Sequence, residues 1–263
     1  MAEGKRGGGE IPRAKRRLQK VPAPNARRGA GFDKRGGFGQ DCRVSEVPLI
    51  RRVELTALRP DLTAVEIEDL CARARAAGCL ALGVPGSRVA LAAHHLDGSD
   101  VKVAALVGFP FGTAEAEVKR HAIEAALEAG AQEFDVVLHP GLLKEGAHAM
   151  LLRELRDLRE AAEERPLKVI VEAALLPREL WGRAAALVVE AEAQFLATAT
   201  GCAGRATTPD DVRFLRAAAG PELGLKAVGG VRTPDLARAL VEAGANRVGV
   251  PDLAPFTPSP VAA

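Results

Sequence analysis

The chain has 263 residues, 48% hydrophobic, 27% charged and 3% aromatic, with a formal net charge of +2. That length and apolar share suit one large domain or two small ones with a sizeable core, and exclude collagen-like and wholly disordered classes. No apolar run approaches the roughly 18 residues of a membrane span, and no apolar stretch follows the basic N-terminus as in a secretory signal, so a cytoplasmic protein is expected.

The near-neutral total hides an asymmetry. Residues 1–52 hold 14 Lys and Arg against 5 Asp and Glu, a net of +9, which leaves −7 for the remainder. Nine glycines fall among the first 40 residues, with the basic run Arg13–Arg17 and the Gly/Arg segment Arg35–Gly39. Such a composition cannot repay the entropy of ordering, so residues 1–50 are expected to form a disordered basic arm. Contact with nucleic acid through phosphates is one reading of it. A solvated tail, a mistaken start site and a transit peptide are the others. Cys42, Cys71, Cys79 and Cys202 show neither CxxC spacing nor disulfide-framework density and read as reduced thiols.

From Val53 onward, short apolar runs alternate with amphipathic stretches. Strands are expected to start at Val53, Leu80, Val101, Glu133, Leu167, Gln194, Leu223 and Arg247, an average spacing of about 28 residues. Between them, amphipathic patterns predict helices over Ala64–Ala77, Ala114–Ala129, Leu143–Glu164, Pro177–Glu190, Pro209–Ala219 and Pro234–Ala243. Thr208 and Thr233 are placed as N-caps, and Gly130 and Gly244 as left-handed C-terminal residues. Eight strand-helix periods over 51–263 predict a closed (β/α)8 TIM barrel. Pro251, Pro255, Pro258 and Pro260 follow the last strand, so the eighth helix is expected to be missing or irregular.

Working residues of such barrels lie at strand C-terminal ends. Asp135 and Lys226 each place a charge inside an apolar strand, which is tolerable only with a partner, and they are predicted to pair with each other. Lys168 and Glu172 share one face of the Leu167–Ala173 run. These inward charges fit a structural ion-pair network or an active site, and pattern alone leaves both open. Gly229-Gly230 before the Thr233 cap suits a phosphate site or a plain turn. His139 suits a polar residue at the barrel mouth better than a metal ligand, since no ligand spacing accompanies it. Cys202 reads as a small residue or a reactive thiol. No metal or cofactor is expected.

Five segments in order resemble the 2-deoxyribose-5-phosphate aldolase family. Gly108–Gly112 with Glu117–Lys119 resembles its GFPxG…EVK signature, and Glu133–Val137 its E-[IF]-D-x-V strand. Lys168–Glu172 resembles KVIxE, Phe195–Gly201 resembles F-[IV]-KTSTG, and Lys226–Thr233 resembles KA-[SA]-GG-[IV]-RT. The resemblance implies a class I aldolase on a TIM barrel. A sixth-strand lysine would form a Schiff base between enzyme and aldehyde, so that deoxyribose 5-phosphate is cleaved to acetaldehyde and glyceraldehyde 3-phosphate. It further implies that Lys226 lowers the pKa of that lysine, that Asp135 assists proton transfer, and that Thr198, Thr200, Gly201, Gly229, Gly230 and Gly249 hold a phosphorylated sugar.

The departures fall on the chemistry. Ala197 occupies the Schiff-base position, and a methyl group forms no imine. Glu54 replaces the first-strand aspartate, Gly83 and Pro85 the second-strand cysteine and asparagine, and Ala199 a serine. The eighth-strand phosphate loop carries Pro251, which has no N–H, and Asp252, which repels an anion. Three readings follow: a family member impaired in Schiff-base chemistry, an active lyase using Lys226, or a non-enzymatic protein binding through its basic arm. A homo-oligomer is compatible with each.

Overall fold

The computed structural model describes residues 47–257. The expected arm lies outside that range except for its last four residues, of which Leu49 and Ile50 pack against the core. A short 3-10 turn, Leu49–Arg52, leads into the first strand.

Eight strands follow: β1 (Val53–Thr56), β2 (Ala81–Pro85), β3 (Lys102–Val107), β4 (Glu133–Val137), β5 (Leu167–Ile170), β6 (Phe195–Ala197), β7 (Gly224–Ala227) and β8 (Arg247–Val250). Each pairs in parallel with its sequence neighbour, and β8 closes onto β1 with Glu54 opposite Gly249, which makes the expected barrel. Strand starts agree with the sequence reading to within a residue.

The strands form because alternate residues face two buried layers, one against the helices and one inside the barrel. The row facing the helices is aliphatic: Leu55, Leu82, Val103, Val136, Val169, Leu196, Leu225 and Val248 all lie in the main core cluster. The other row faces inward, and register lines up Asp135 with Lys168, and Ala197 with Lys226. Parallel strands buried on both sides normally read as uninterrupted hydrophobic runs. Here the charges within those runs all belong to the inner row.

The helices are α1 (Ala64–Ala77), α2 (Val89–Leu96), α3 (Ala116–Glu128), α4 (Pro140–Lys144), α5 (His148–Ala161), α6 (Trp181–Glu190), α7 (Pro209–Ala219) and α8 (Pro234–Glu242). In α1, buried Ile67, Leu70, Cys71 and Ala74 recur at the spacing of one helical face. Thr63 and Glu66 close a reciprocal capping box at its start. Thr208 and Thr233 cap α7 and α8, and Gly130 and Gly244 take φ of +99° and +115°.

Three details differ from the sequence reading. Helix α2 was not expected, because Val89–Leu96 is apolar on most sides and shows no amphipathic stripe. The single helix expected over Leu143–Glu164 divides into α4 and α5 at Gly146, whose φ is +76°. The helix expected from Pro177 begins as a 3-10 turn, Arg178–Leu180, and becomes α-helical at Trp181. After β8 the described chain forms only a 3-10 turn, Ala254–Phe256, as the prolines require. Among the described residues no helix is long and apolar enough to cross a membrane.

Candidate active site

The inner row assembles a buried network of three anions and three cations. Lys168 Nζ lies 3.0 Å from Glu54, 2.8 Å from Glu133 and 3.3 Å from Asp135. Lys226 Nζ meets both oxygens of Asp135 at 3.1 Å and Glu54 Oε2 at 2.6 Å. Arg247 Nη1 reaches Glu54 at 2.9 Å and Glu133 at 2.6 Å. The pairing predicted between Asp135 and Lys226 is therefore present, but it is one edge of a larger cluster.

Desolvating six charges is costly unless each finds several partners. Burial pushes the Glu54 carboxyl up, yet Lys168, Lys226 and Arg247 outweigh it and hold the group well below its ordinary value. Glu133 is likewise raised by burial but lowered on balance, chiefly by Lys168, with Arg247 adding to it. Lys168 loses basicity through burial and regains more from Asp135, Glu54 and Glu133, so its ammonium form persists above the usual range.

Glu133 and Arg247 were missed as members of this cluster. Each is the first residue of its strand, where a charge reads as a loop boundary. Their in-register positions, two residues before Asp135 and across from Lys226, were the available signal. The Arg247 guanidinium also lies 4.2 Å from the Phe195 ring centre, within cation–π range.

Above this network the inner row turns apolar. Ala197 is fully buried and packs with Val137, Ile170 and Phe109. It stands across from Lys226 on one side and Ile170 on the other. Lys226 Nζ faces three carboxylate oxygens. Lys119, from the EVK segment, lies outside the barrel wall, donating to Val137 O at 3.0 Å and Glu154 at 2.7 Å. Gly108 and Gly112 of the preceding segment adopt positive φ, and a Cβ on Gly112 would stand 2.5 Å from the Leu138 carbonyl oxygen. This signature therefore shapes a close β3–β4 junction.

The residues assigned to phosphate binding gather at the ends of β6, β7 and β8, with most of their polar groups occupied. The Thr198 hydroxyl donates to Val228 O and accepts from Val228 N, both at 2.9 Å. Thr200 donates from N and Oγ1 to Glu172, and its hydroxyl accepts from Cys202 N at 3.1 Å. Gly201 lies beside Leu58 and Val228. Gly229 O accepts from Thr207 N at 3.0 Å, and Gly230 packs tightly on Ala206. Gly249 leaves no room for a side chain against Val228. Asp252 turns to Arg73 of α1 at 3.3 Å and accepts from Ala254 N at 3.2 Å.

Glu172 does not join Lys168. It lies past the end of β5 with φ +48°, a left-handed conformation that reorients its side chain toward Thr200. Its Oε1 is buried without a hydrogen-bond partner. His139 is the N-cap of α4, accepting from Leu142 N at 3.2 Å through Nδ1. Among the described residues no three His, Cys, Asp or Glu side chains are grouped as a metal site. Burial raises the Cys202 thiol above its ordinary value, which disfavours the reactive thiolate. Gly83 has ordinary van der Waals space for a Cβ against Thr56 and Leu106.

A cavity of about 520 Å³ opens at the strand C-terminal ends, lined among others by Leu58, Pro85, Leu106, Phe109, Phe111 and Cys202. Arg59 stands on its rim, with its guanidinium tied to Asp61 at 2.9 Å and Glu66 at 3.0 Å.

Comparison with known proteins gives a consistent picture. The domain described as DeoC/LacD family aldolase matches residues 49–250. The deoxyribose-phosphate aldolase 1 of Bacillus licheniformis is 40% identical over 202 residues, covering 76% of this chain and 91% of that protein. The deoxyribose-phosphate aldolase of Thermococcus gammatolerans is 40% identical over 205 residues, with the same coverage. The tetrameric deoxyribose phosphate aldolase of Aeropyrum pernix superimposes with a TM-score of 0.72 at 30% identity, over 77% of this chain and 86% of that one.

Proposed function

Because the chain belongs to the DeoC/LacD aldolase family, we propose that it is a member that has kept the barrel and its inner ion network but has lost the imine-forming amine. It binds a small ligand at the barrel mouth without Schiff-base lyase activity. The observation that carries this reading is the pairing of Ala197 with Lys226, whose Nζ faces three carboxylate oxygens.

Cleaving a carbon–carbon bond next to a hydroxyl leaves an electron pair that needs an acceptor. A protonated imine is such an acceptor, and it forms only where an unprotonated amine meets the carbonyl carbon. Ala197 offers no nitrogen. Lys168 and Lys226 are held as donors to carboxylates, and Lys119 is engaged outside the barrel. Asp135 keeps the position implied for proton transfer, but its two oxygens are spent on Lys226.

A second reading has one observation in its favour. Lys226 stands on the strand adjacent to Ala197 and in register with it, so a lysine stem spans the distance to a carbonyl above Ala197. Borohydride reduction in the presence of acetaldehyde, read by intact mass and peptide mapping, separates the two. The proposal predicts no stable adduct on any interior lysine. A reduced adduct on Lys226 would overturn it and establish the second reading.

A further inference from the structure

We infer that a groove between α3 and α5, on the outer wall of the barrel, binds a short aliphatic diamine in its dicationic form. The groove lies apart from the barrel mouth, and the inference stands whether or not an imine forms inside.

The groove measures about 370 Å³, within the range of small-molecule sites. The start of α3 makes one side, and Met150, Arg153, Glu154 and Asp157 make the other, spaced as one face of α5. Glu115 and Glu117 are at home beside the positive end of α3 whatever the groove holds, so they do not carry the inference. Glu154 does. It is only 6% exposed, and its Oε1 accepts from Lys119 Nζ at 2.7 Å. Its Oε2 has no hydrogen-bond partner among the described residues, and it is not sealed in the core as Glu172 Oε1 is. That oxygen therefore opens on the groove that Glu154 lines. A carboxylate this deeply placed has lost most of its water, and a donor reaching Oε2 from the groove would restore the missing bond.

Charge and shape name the class of donor. Four carboxylates line the groove, those of Glu115, Glu117, Glu154 and Asp157, against Arg153 and, behind Glu154, Lys119. Two negative charges remain uncompensated. His139 adds no positive charge, because its Nδ1 accepts from Leu142 N, which needs the neutral ring. Of the four carboxylates only Glu154 has an ion-pair partner among the described residues. Among those residues no three such side chains are grouped as a metal site, so the cation that fits is extended, with its charges apart. Ala114, Ala116, Leu142 and Met150 supply apolar surface in the same groove, and Met150 is 60% exposed. An aliphatic diamine has both parts: methylenes that cover apolar surface, and ammonium ends that reach carboxylates.

The test uses the full chain and 1,4-diaminobutane in isothermal titration calorimetry. One saturable site is expected, with 1,4-butanediol, uncharged and of the same length, giving no detectable binding. Glu154→Gln should weaken binding at least about tenfold, because a hydrogen bond between charged groups is lost. Glu117→Gln combined with Asp157→Asn should weaken it about as much and leave the Lys119–Glu154 pair intact, which an unchanged Tm verifies. Should Glu154→Gln fail to fold, that double variant decides alone. Glu242→Gln, exposed on α8 and outside the groove, should bind as the unsubstituted chain does. A Kd above about 1 mM for 1,4-diaminobutane would overturn the assignment. So would unchanged affinity in the double variant, or binding of the diol as strong as that of the diamine.

Discussion

The lower and upper halves of the barrel interior contrast sharply. Below, Glu54, Glu133 and Asp135 interlock with Lys168, Lys226 and Arg247 in a closed, charge-balanced cluster. Above, Val137, Ile170, Ala197 and Phe109 form an apolar layer under a cavity with few free polar groups. Glu133, Asp135, Lys168 and Lys226 of the polar half fall in segments that resemble the family's motifs, while Glu54 and, in the upper half, Ala197 depart from that resemblance. Inward charges that stabilise one another have a structural reason to be kept, whatever chemistry accompanies them. An ion-pair network held for structure and one held for catalysis look alike until the neighbouring layer is read.

Removing a cation from the lower half should have the largest effect. Lys168→Met leaves three buried carboxylates facing two cations, and breaking a buried pair costs about 3–5 kcal/mol. Urea unfolding should show this loss. A change under about 1 kcal/mol would mean that water reaches the network and that the two halves differ less than described.

The same network can be probed without mutation. Glu54 and Glu133 have lowered pKa values in the fold, so their contribution is present above their ordinary value of 4.5 and is lost as pH falls through the lowered values. Lys168 has a raised pKa, so its contribution is complete below 10.5 and fades as pH rises beyond it. Burial lifts Cys71 and Cys79 to about 11 from an ordinary 9.0, so the unfolded chain ionises first and stability declines from about pH 9 upward. Melting temperature should form a plateau that falls away below pH 4.5 and above pH 9. A steady decline across neutral pH would contradict the network.

Ala197→Lys tests the upper half. Forcing a longer side chain among Val137, Ile170 and Phe109 should cost about 1–3 kcal/mol. Burial and the nearby Lys226 charge should lower the new amine's pKa, so borohydride should trap an acetaldehyde adduct at position 197. Turnover of deoxyribose 5-phosphate should stay poor with a high KM, since Pro251 lacks an N–H and Asp252 adds a negative charge after β8. The smallest change is expected away from the interior. Thr208→Ala removes the cap that accepts from Asp211 N and should cost about 1 kcal/mol without altering either half.

Much of the barrel was legible because its outer row is aliphatic at every strand and its helices announce their ends with Thr208, Thr233, Gly130 and Gly244. Helix α2 was not, since Val89–Leu96 lacks the polar face that marks a surface helix. The Asp135–Lys226 pair could be read as two charges needing each other. Glu133 and Arg247 could not, because a charge at a strand's first residue looks like a boundary until register brings it inward. Glu172 shared a strand face with Lys168 by simple alternation, and its left-handed backbone turned it to Thr200. The cavity draws on the loops after β1, β3 and β6 and on the end of β2, a convergence that no local pattern records.

If Ala197 leaves the barrel without an imine-forming nucleophile, the full chain does not turn over deoxyribose 5-phosphate, and an assay of that turnover decides the matter. Acetaldehyde release should not exceed the enzyme-free background at any substrate concentration. Release at a rate comparable to a deoxyribose-phosphate aldolase assayed alongside would contradict the account, since Ala197 would then not be the deficit.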